Sequence, residues 1–408
     1  MGVGSAAAAG RPVVDAIVDW NRGRKPELLR MKYARMGADM FAFFRGTDHL
    51  FAAEWPALRP VDPGPSILIC GDLHLENFGA FRSDDGSFAF DINDFDEATV
   101  APCSIDLVRC ATSILLAAQV WGLTPIQAMR TVLGYVDRYR ATIAEAALAP
   151  EAAPADSGPL EDLVGRCALG TQAELLDHLT RVDKSGNRTI QRSSGKFPPI
   201  GRAKAELIAR AVEEHGRARD DQDAFRVLDV AGRIAGIGSL GVRRYIALVV
   251  GDGSPDGDRL LDIKEAGPSS LAGCSDGPRP QAWADDARRV VDAQRRLQER
   301  PTAGLVLLDV DGRAFRSREM IPDENRSRLD QLRRKPAKLR RAVEVAGRIT
   351  ARSHLRGAGL DEGDRTPELV RWAAGPGLDA VLASAVRFAD RARVDFKAFK
   401  KAGLEREG

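Results

Sequence analysis

Disulfide chemistry, membrane spanning and bulk charge are the first things missing from this 408-residue chain. Its five cysteines, Cys70, Cys103, Cys110, Cys167 and Cys274, are odd in number and scattered, with no Cys-x-x-Cys pair. That pattern argues against a disulfide framework and fits free thiols in a reducing cytoplasm. No long uncharged apolar run occurs, so no membrane-spanning helix and no membrane partner are expected. Residues 1–10 are small but lack a basic region and an apolar core, so they read as a tail rather than a signal peptide. The formal net charge is only +2, which gives no argument for nucleic acid, and none is expected as a partner. The five histidines form no zinc-binding cluster, and no internal repeat is visible. The length suits one large two-lobed domain or two domains with an ample core.

What the chain does contain is Gly71-Asp72-Leu73-His74-Leu75-Glu76-Asn77, followed by Asp91-Ile92-Asn93-Asp94-Phe95-Asp96. Ser66 to Cys70 is a short apolar run that predicts a strand, and Phe88 to Ile92 alternates like a second. Between them, Gly71 to Gly86 reads as a polar loop with a turn at Asp85-Gly86. Carboxylates at strand ends have fixed directions and suit a hard cation. Magnesium takes one or two carboxylates plus substrate phosphates, and Asn77 and Asp94 supply such a pair. Asp96 is a further candidate ligand. Asp72 remains to orient an attacking hydroxyl or accept its proton, and His74 to touch the loop backbone or the transferred phosphate. The alternative is that these residues are turn and cap residues, where Asp and Asn are common.

A second half of the pattern lies downstream. Gly236-Ile237-Gly238-Ser239-Leu240-Gly241 sits between two strand-like runs, 225–230 and 244–250. Its glycines let backbone amides approach phosphates, though the same motif also marks dinucleotide sites. A dinucleotide site requires a helix after the loop, whereas Tyr245 to Val250 predicts a strand and therefore a hairpin. A third strand, Arg259 to Lys264, ends in a lysine that can reach phosphates. The helical stretch Gln281 to Glu299 follows, with Asp292 as the candidate acid for Lys264 and Asp285, Asp286 and Glu299 as rivals. Strands over 305–308 and 314–320 flank a turn at Asp311-Gly312, and an adenine-accepting hinge is expected near Glu319 to Ile321. A basic helix, Leu339 to Arg356, ends Ala351-Arg352-Ser353-His354.

Other segments read less specifically. Arg45 sits in the apolar setting Met40 to Phe44, either paired to a buried carboxylate or aimed at an anion. Pro150 to Pro159 reads as a linker. Lys184 to Lys204 reads as a solvated, mobile basic loop, or as a lid that recruits an anionic substrate. Leu378 to Lys401 has a helical apolar pattern expected to pack on the larger lobe.

The division of labour between Asp72, Asn77 and Asp94 resembles that of phosphotransferases. The loop resembles the His-Gly-Asp-x-His-x-x-Asn loop of aminoglycoside- and choline-kinase-like enzymes, with Cys70 at the first histidine. Asp94-Phe95-Asp96 resembles their metal-binding signature. Ser104-Ile105-Asp106-Leu107 resembles their following helix, whose aspartate braces the loop, although Asp106 is equally readable as a helix-start acid. Ile263-Lys264 resembles their lysine strand. The resemblance implies ATP and Mg2+ as cofactors, Gly236, Gly238, Ser239, Gly241 and Lys264 as phosphate contacts, and a small-molecule hydroxyl as acceptor. In this chain the catalytic loop precedes the glycine hairpin, so the order implies a circular permutation. The fold expected is α+β and protein-kinase-like, with residues 1–222 and 326–408 as the helical catalytic lobe and 223–325 as the β-rich ATP lobe. The chain as a whole resembles a bacterial family known as domain of unknown function 2252. Phe43–Gly46, Cys70–Gly79, Phe90–Glu97, Gly236–Gly241, Ile263–Ala266 and Ala351–His354 carry that resemblance. Two other functions share parts of the pattern: a regulatory nucleotide-binding module or AMP transferase, and a metallophosphoesterase suggested by Gly71-Asp72-Leu73-His74.

Overall fold

Four short helices open a computed structural model that describes residues 12–148, 172–254, 257–274, 283–320, 329–359 and 363–406. They are α1 (Val13–Trp20), α2 (Pro26–Met36), α3 (Met40–Gly46) and α4 (Asp48–Leu58). Pro26 begins α2, where its missing N–H leaves no bond unmade. Asp39 caps α3 by accepting the Ala42 N–H at 2.8 Å. The expected tail, linker and Cys167 lie outside the described residues.

Two small antiparallel pairs follow. β1 (Ser66–Ile69) pairs with β4 (Thr99–Pro102), and β2 (Phe78–Arg82) pairs with β3 (Phe88–Ile92). The loop expected over Gly71 to Gly86 is therefore shorter. Phe78, Gly79, Ala80 and Phe81 are all buried, so β2 lacks the polar alternation that announces a strand. The turn at Asp85-Gly86 is present, with Gly86 at φ 79°.

The long helices α5 (Ser104–Val120) and α6 (Pro125–Leu148) pack together in the main apolar cluster. A hairpin comes next: α7 (Gln172–Leu179), β5 (Thr180–Val182) and β6 (Arg188–Ile190). The loop expected to be solvated over Lys184 to Lys204 is mostly exposed, but two of its arginines are anchored. Arg188 lies 3.3 Å from buried Asp258, and Arg192 pairs with Asp229 at 2.8 Å. Helix α8 (Arg202–Arg217) then leads into the largest sheet.

That sheet is antiparallel and contains β7 (Val227–Gly232), β8 (Arg244–Val249), β9 (Arg259–Glu265), β10 (Val306–Asp309) and β11 (Ala314–Glu319), in the order β10-β11-β9-β8-β7. Two-residue alternation sorts its faces. Tyr245, Ala247, Val249, Leu261 and Ile263 pack with Ile208 and Val212 of α8. Ile246, Leu248 and Leu260 turn the other way, onto Leu175, Leu176 and Phe197. Lys264 and Asp262 share this second face with Leu260.

The remaining helices are α9 (Asp286–Leu297), α10 (Pro336–Ala358), α11 (Thr366–Ala374) and α12 (Pro376–Ala402). α10 lies along α6, α12 along α5, and α9 between β11 and α10. The fold is α+β. Among the described residues no helix is long and apolar enough to cross a membrane.

Candidate functional site

The Asp72 loop is built around one buried carboxylate. Asp106 Oδ2 accepts the Cys70 N–H at 2.9 Å, and Oδ1 accepts the Gly71 N–H at 2.8 Å. His354 Nε2 is 3.2 Å from Oδ2, and its Nδ1 is 2.9 Å from the Tyr139 hydroxyl. Asp106 and His354 are fully buried, so the start of α5 and the end of α10 hold the loop jointly. Asp106 thus braces the loop rather than serving only as a helix-start acid. Gly71 has φ 95°, and a Cβ there would sit 2.3 Å from the Glu97 carbonyl oxygen, so only glycine fits.

Beyond Gly71 the loop closes on itself. The Asn77 amide donates to the Asp72 carbonyl oxygen, which leaves Asn77 Oδ1 as an acceptor. His74 Nδ1 accepts the Glu76 N–H at 3.2 Å and caps the single 3-10 turn Leu75–Asn77. The Asn93 N–H donates to the Asn77 carbonyl at 2.7 Å, tying the loop to the segment that carries Asp94. Arg45 pairs with half-exposed Glu76 at 2.7 Å.

Asp72 is ion-paired to Arg109, a fully buried residue of α5, at 2.5 Å. Arg109 also meets Asp48 at 2.8 Å and lies over the rings of Phe44 and Phe51. Burial pushes the Asp72 carboxyl up, Arg109 pulls it down and Asp48 pushes it up again; the net direction is upward.

Strand register assembles the other half. Arg244, Lys264 and Arg316 are cross-strand neighbours, as are Asp262 and Arg318 one pleat along. Asp262 is buried against Arg244 at 2.5 Å and Arg233 at 2.9 Å. The Lys264 ammonium contacts Asp96, and Arg316 lies 3.6 Å from the other Asp96 oxygen. Burial raises Asp94, but Lys264, Arg316 and Arg318 outweigh it and hold the carboxyl at about 2. Burial lowers Lys264 to about 8 against the pull of Asp94. Burial and Arg316 lower Arg318 to about 9. The cluster is crowded with cations: Arg233, Arg244, Lys264, Arg316 and Arg318 face Asp94, Asp96 and Asp262. An added anion relieves such crowding.

Both halves line one cavity of about 460 Å³. Asp72, His74, Asn77, Asp94, Asp96, Gly236, Gly238, Ser239 and Lys264 all border it, so nine of the residues expected from sequence converge. The hairpin expected around Gly236–Gly241 is present, since β7 and β8 pair antiparallel. Gly241 is not on the cavity wall; it has φ 93° and packs on Arg24. Met320, at the expected hinge, lines the cavity. Glu319 beside it pairs with Arg82 at 2.7 Å, and Ile321 lies outside the described residues.

Asp292 also lies off the cavity wall. Its carboxylate sits 3.8 Å from Arg288, one turn back on α9, and is one-third exposed. Val290, Ala293 and Leu297 turn α9 inward, and the short Asp292 side chain stays on its flank. The acid that meets Lys264 is Asp96. Arg109, Asp262, Arg316, Arg318, Lys32 and Arg24 were not expected at the site. Arg316 and Arg318 did leave a signal, two cations at strand spacing on β11.

The search of curated proteins found no match, and neither did the search of solved structures. One family profile, described as "Uncharacterized protein conserved in bacteria (DUF2252)", matches residues 24–402. The match spans the Asp72 loop, Asp94, the glycine hairpin, Lys264 and His354, and the chain belongs to this bacterial family.

Proposed function

We propose that the chain is an ATP- and Mg2+-dependent phosphotransferase acting on a hydroxyl of a small molecule. The observation that carries this reading is the contact of Lys264 with Asp96, beside Asp94, in the cavity that also holds Asp72 and Asn77. In this reading residues 223–325 are the ATP lobe of a kinase-like, circularly permuted fold, and residues 1–222 with 326–408 are the catalytic lobe.

The donor set fits magnesium. Asp94 is held ionised, Asn77 Oδ1 is available, and Asp96 Oδ1 and Asn93 Oδ1 are buried without a hydrogen-bond donor. Among the described residues no cluster of three His, Cys, Asp or Glu stands ready to hold an ion. A magnesium ion held here would take the rest of its coordination from substrate phosphates. Bound magnesium neutralises phosphate charge at this position.

The chain's own residues do the rest. Lys264, Arg316 and Arg318 receive the triphosphate, and the Gly236–Ser239 turn covers it. Asp72, fixed by Arg109, aligns the acceptor hydroxyl and holds its proton. The acceptor oxygen forms a bond to the γ-phosphorus as the bond to the bridging β–γ oxygen breaks. ADP leaves with that electron pair. A metallophosphoesterase is disfavoured, since His74 is spent capping its own turn and His354 braces the loop.

Asp94→Ala tests the reading. We expect it to abolish ATP consumption while circular dichroism stays native. Mass spectrometry of the products separates phosphoryl from AMP transfer. Unchanged ATP consumption by the variant rejects the assignment.

A further inference from the structure

A second group of cations borders the same cavity. Lys32 of α2 is fully buried, and Arg24 is half-buried. Both reach the carbonyl side of the glycine hairpin. Lys32 Nζ donates to the Gly238 carbonyl at 2.9 Å, and Arg24 Nη1 donates to the Gly238 and Leu240 carbonyls at 2.9 and 2.5 Å. Neither has a carboxylate within 4 Å among the described residues.

The nearest acids are already engaged. Asp48 and Asp72 are held by Arg109, and Glu97 accepts the Ser270 N–H at 2.6 Å. Buried charges are normally paired, and carbonyl dipoles alone compensate an ammonium poorly. One of the three Lys32 donors is used, and Arg24 Nε and Nη2 make no hydrogen bond among the described residues. These groups lie on the Asp72 side: Gly238, which both hold, packs on the Arg45 carbonyl, and Arg45 pairs with Glu76 of the Asp72 loop. Burial and Arg24 push the Lys32 ammonium well below its usual range while Glu97 and Asp72 pull it back, so an anion beside it would restore its charge.

We propose that Lys32 and Arg24 form an anion subsite for the acceptor, so that the phosphoryl acceptor carries a phosphate or carboxylate beside its reacting hydroxyl. This rests on the phosphotransferase reading for its role, and deepens it by giving the substrate a charge. A cation pair beside Asp72 both recruits such a molecule and fixes its hydroxyl near the carboxylate.

The test is calorimetry on the full chain with glycerol 3-phosphate, glycerate and uncharged glycerol as probes. Each is titrated with and without Mg2+ and a non-hydrolysable ATP analogue. A charged probe is expected to bind and glycerol not. Lys32→Met should weaken the charged probe about tenfold or more, the loss of one charge-assisted bond, and leave nucleotide affinity within about threefold. Lys264→Met should do the reverse. Should Lys32→Met fail to fold, Arg24→Gln serves in its place. If the wild type binds the charged probe through Lys32 but no nucleotide, the subsite stands and the phosphotransferase reading falls. The proposal is overturned if neither charged probe binds, or if Lys32→Met leaves their binding unchanged. It is also overturned if nucleotide and probe affinities fall by equal factors, because the cations then serve the triphosphate.

Discussion

Replacing Asp106 removes the carboxylate that holds the start of the Asp72 loop from behind. In Asp106→Ala the N–H groups of Cys70 and Gly71 lose their acceptors inside a fully buried site. Each stranded N–H costs about 1–3 kcal/mol, so the pair costs about 2–6 kcal/mol before any cavity is counted. That is a large share of the roughly 5–15 kcal/mol that holds an ordinary domain together. Asp106→Asn is gentler. One amide oxygen can replace one carboxylate oxygen, but the NH2 group then faces the second N–H, so about 1–3 kcal/mol is lost. His354 changes little in this variant, since a neutral imidazole can donate or accept at Nε2. The assay is urea unfolding followed by circular dichroism, with turnover measured on the folded fraction. The reasoning predicts the order wild type, Asn, Ala in midpoint, and a turnover loss in Asn larger than its stability loss explains. An alanine variant within about 0.5 kcal/mol of wild type refutes it, because that is the range of ordinary surface substitutions.

Two glycines give a matched comparison. Gly71→Ala should cost about 1–3 kcal/mol or more and abolish turnover, because its Cβ meets the Glu97 carbonyl. Gly86→Ala, at φ 79° with open space around it, should cost about 1 kcal/mol and keep turnover; equal effects at both positions contradict the account. The pH dependence of nucleotide binding follows from Lys264. Its ammonium is complete below about 8 and is lost above it, so triphosphate affinity should fall as pH rises through about 8. A solvated lysine would hold affinity to about 10, and a curve flat to that pH argues against Lys264 as the phosphate contact. Acid stability follows from Asp94. Its folded carboxyl is depressed to about 2, so its contribution is whole above the unfolded value of about 3.9 and is lost as pH falls toward about 2. Asp94→Asn should flatten that part of the acid-unfolding curve.

The site was legible where chemistry forces a local pattern. Asp72, Asn77 and Asp94 stand in turns whose spacing is visible in the chain, and the glycine hairpin follows from β-formers on both sides of Gly236 to Gly241. Lys264 was legible because it stands near the end of the strand that follows the glycine hairpin. Partners set by register were not. Asp262 and Arg316 meet Lys264 only because β9 lies between β8 and β11. Lys32 is one of several charges on α2, and nothing in its neighbours shows that it turns inward, whereas Arg109 did leave a signal by standing in a helix that is apolar nearly all round. Asp292 had the right kind of side chain on the right helix, but the wrong flank of it. Lys184 to Lys204 is largely solvated as its composition suggests, but the distant partners of two of its charges, Asp258 for Arg188 and Asp229 for Arg192, were not visible in the chain. β2 was hidden by burial on both faces.

The most direct measurement is calorimetric titration of ATP into the wild type, Lys264→Met and Asp94→Ala, each with and without Mg2+. Wild-type binding should require the metal for full affinity. Lys264→Met should weaken it in both conditions, and Asp94→Ala should remove only the metal-dependent part. Absence of binding to the wild type, or affinities that ignore both substitutions, contradicts the claim that these two residues meet around one triphosphate.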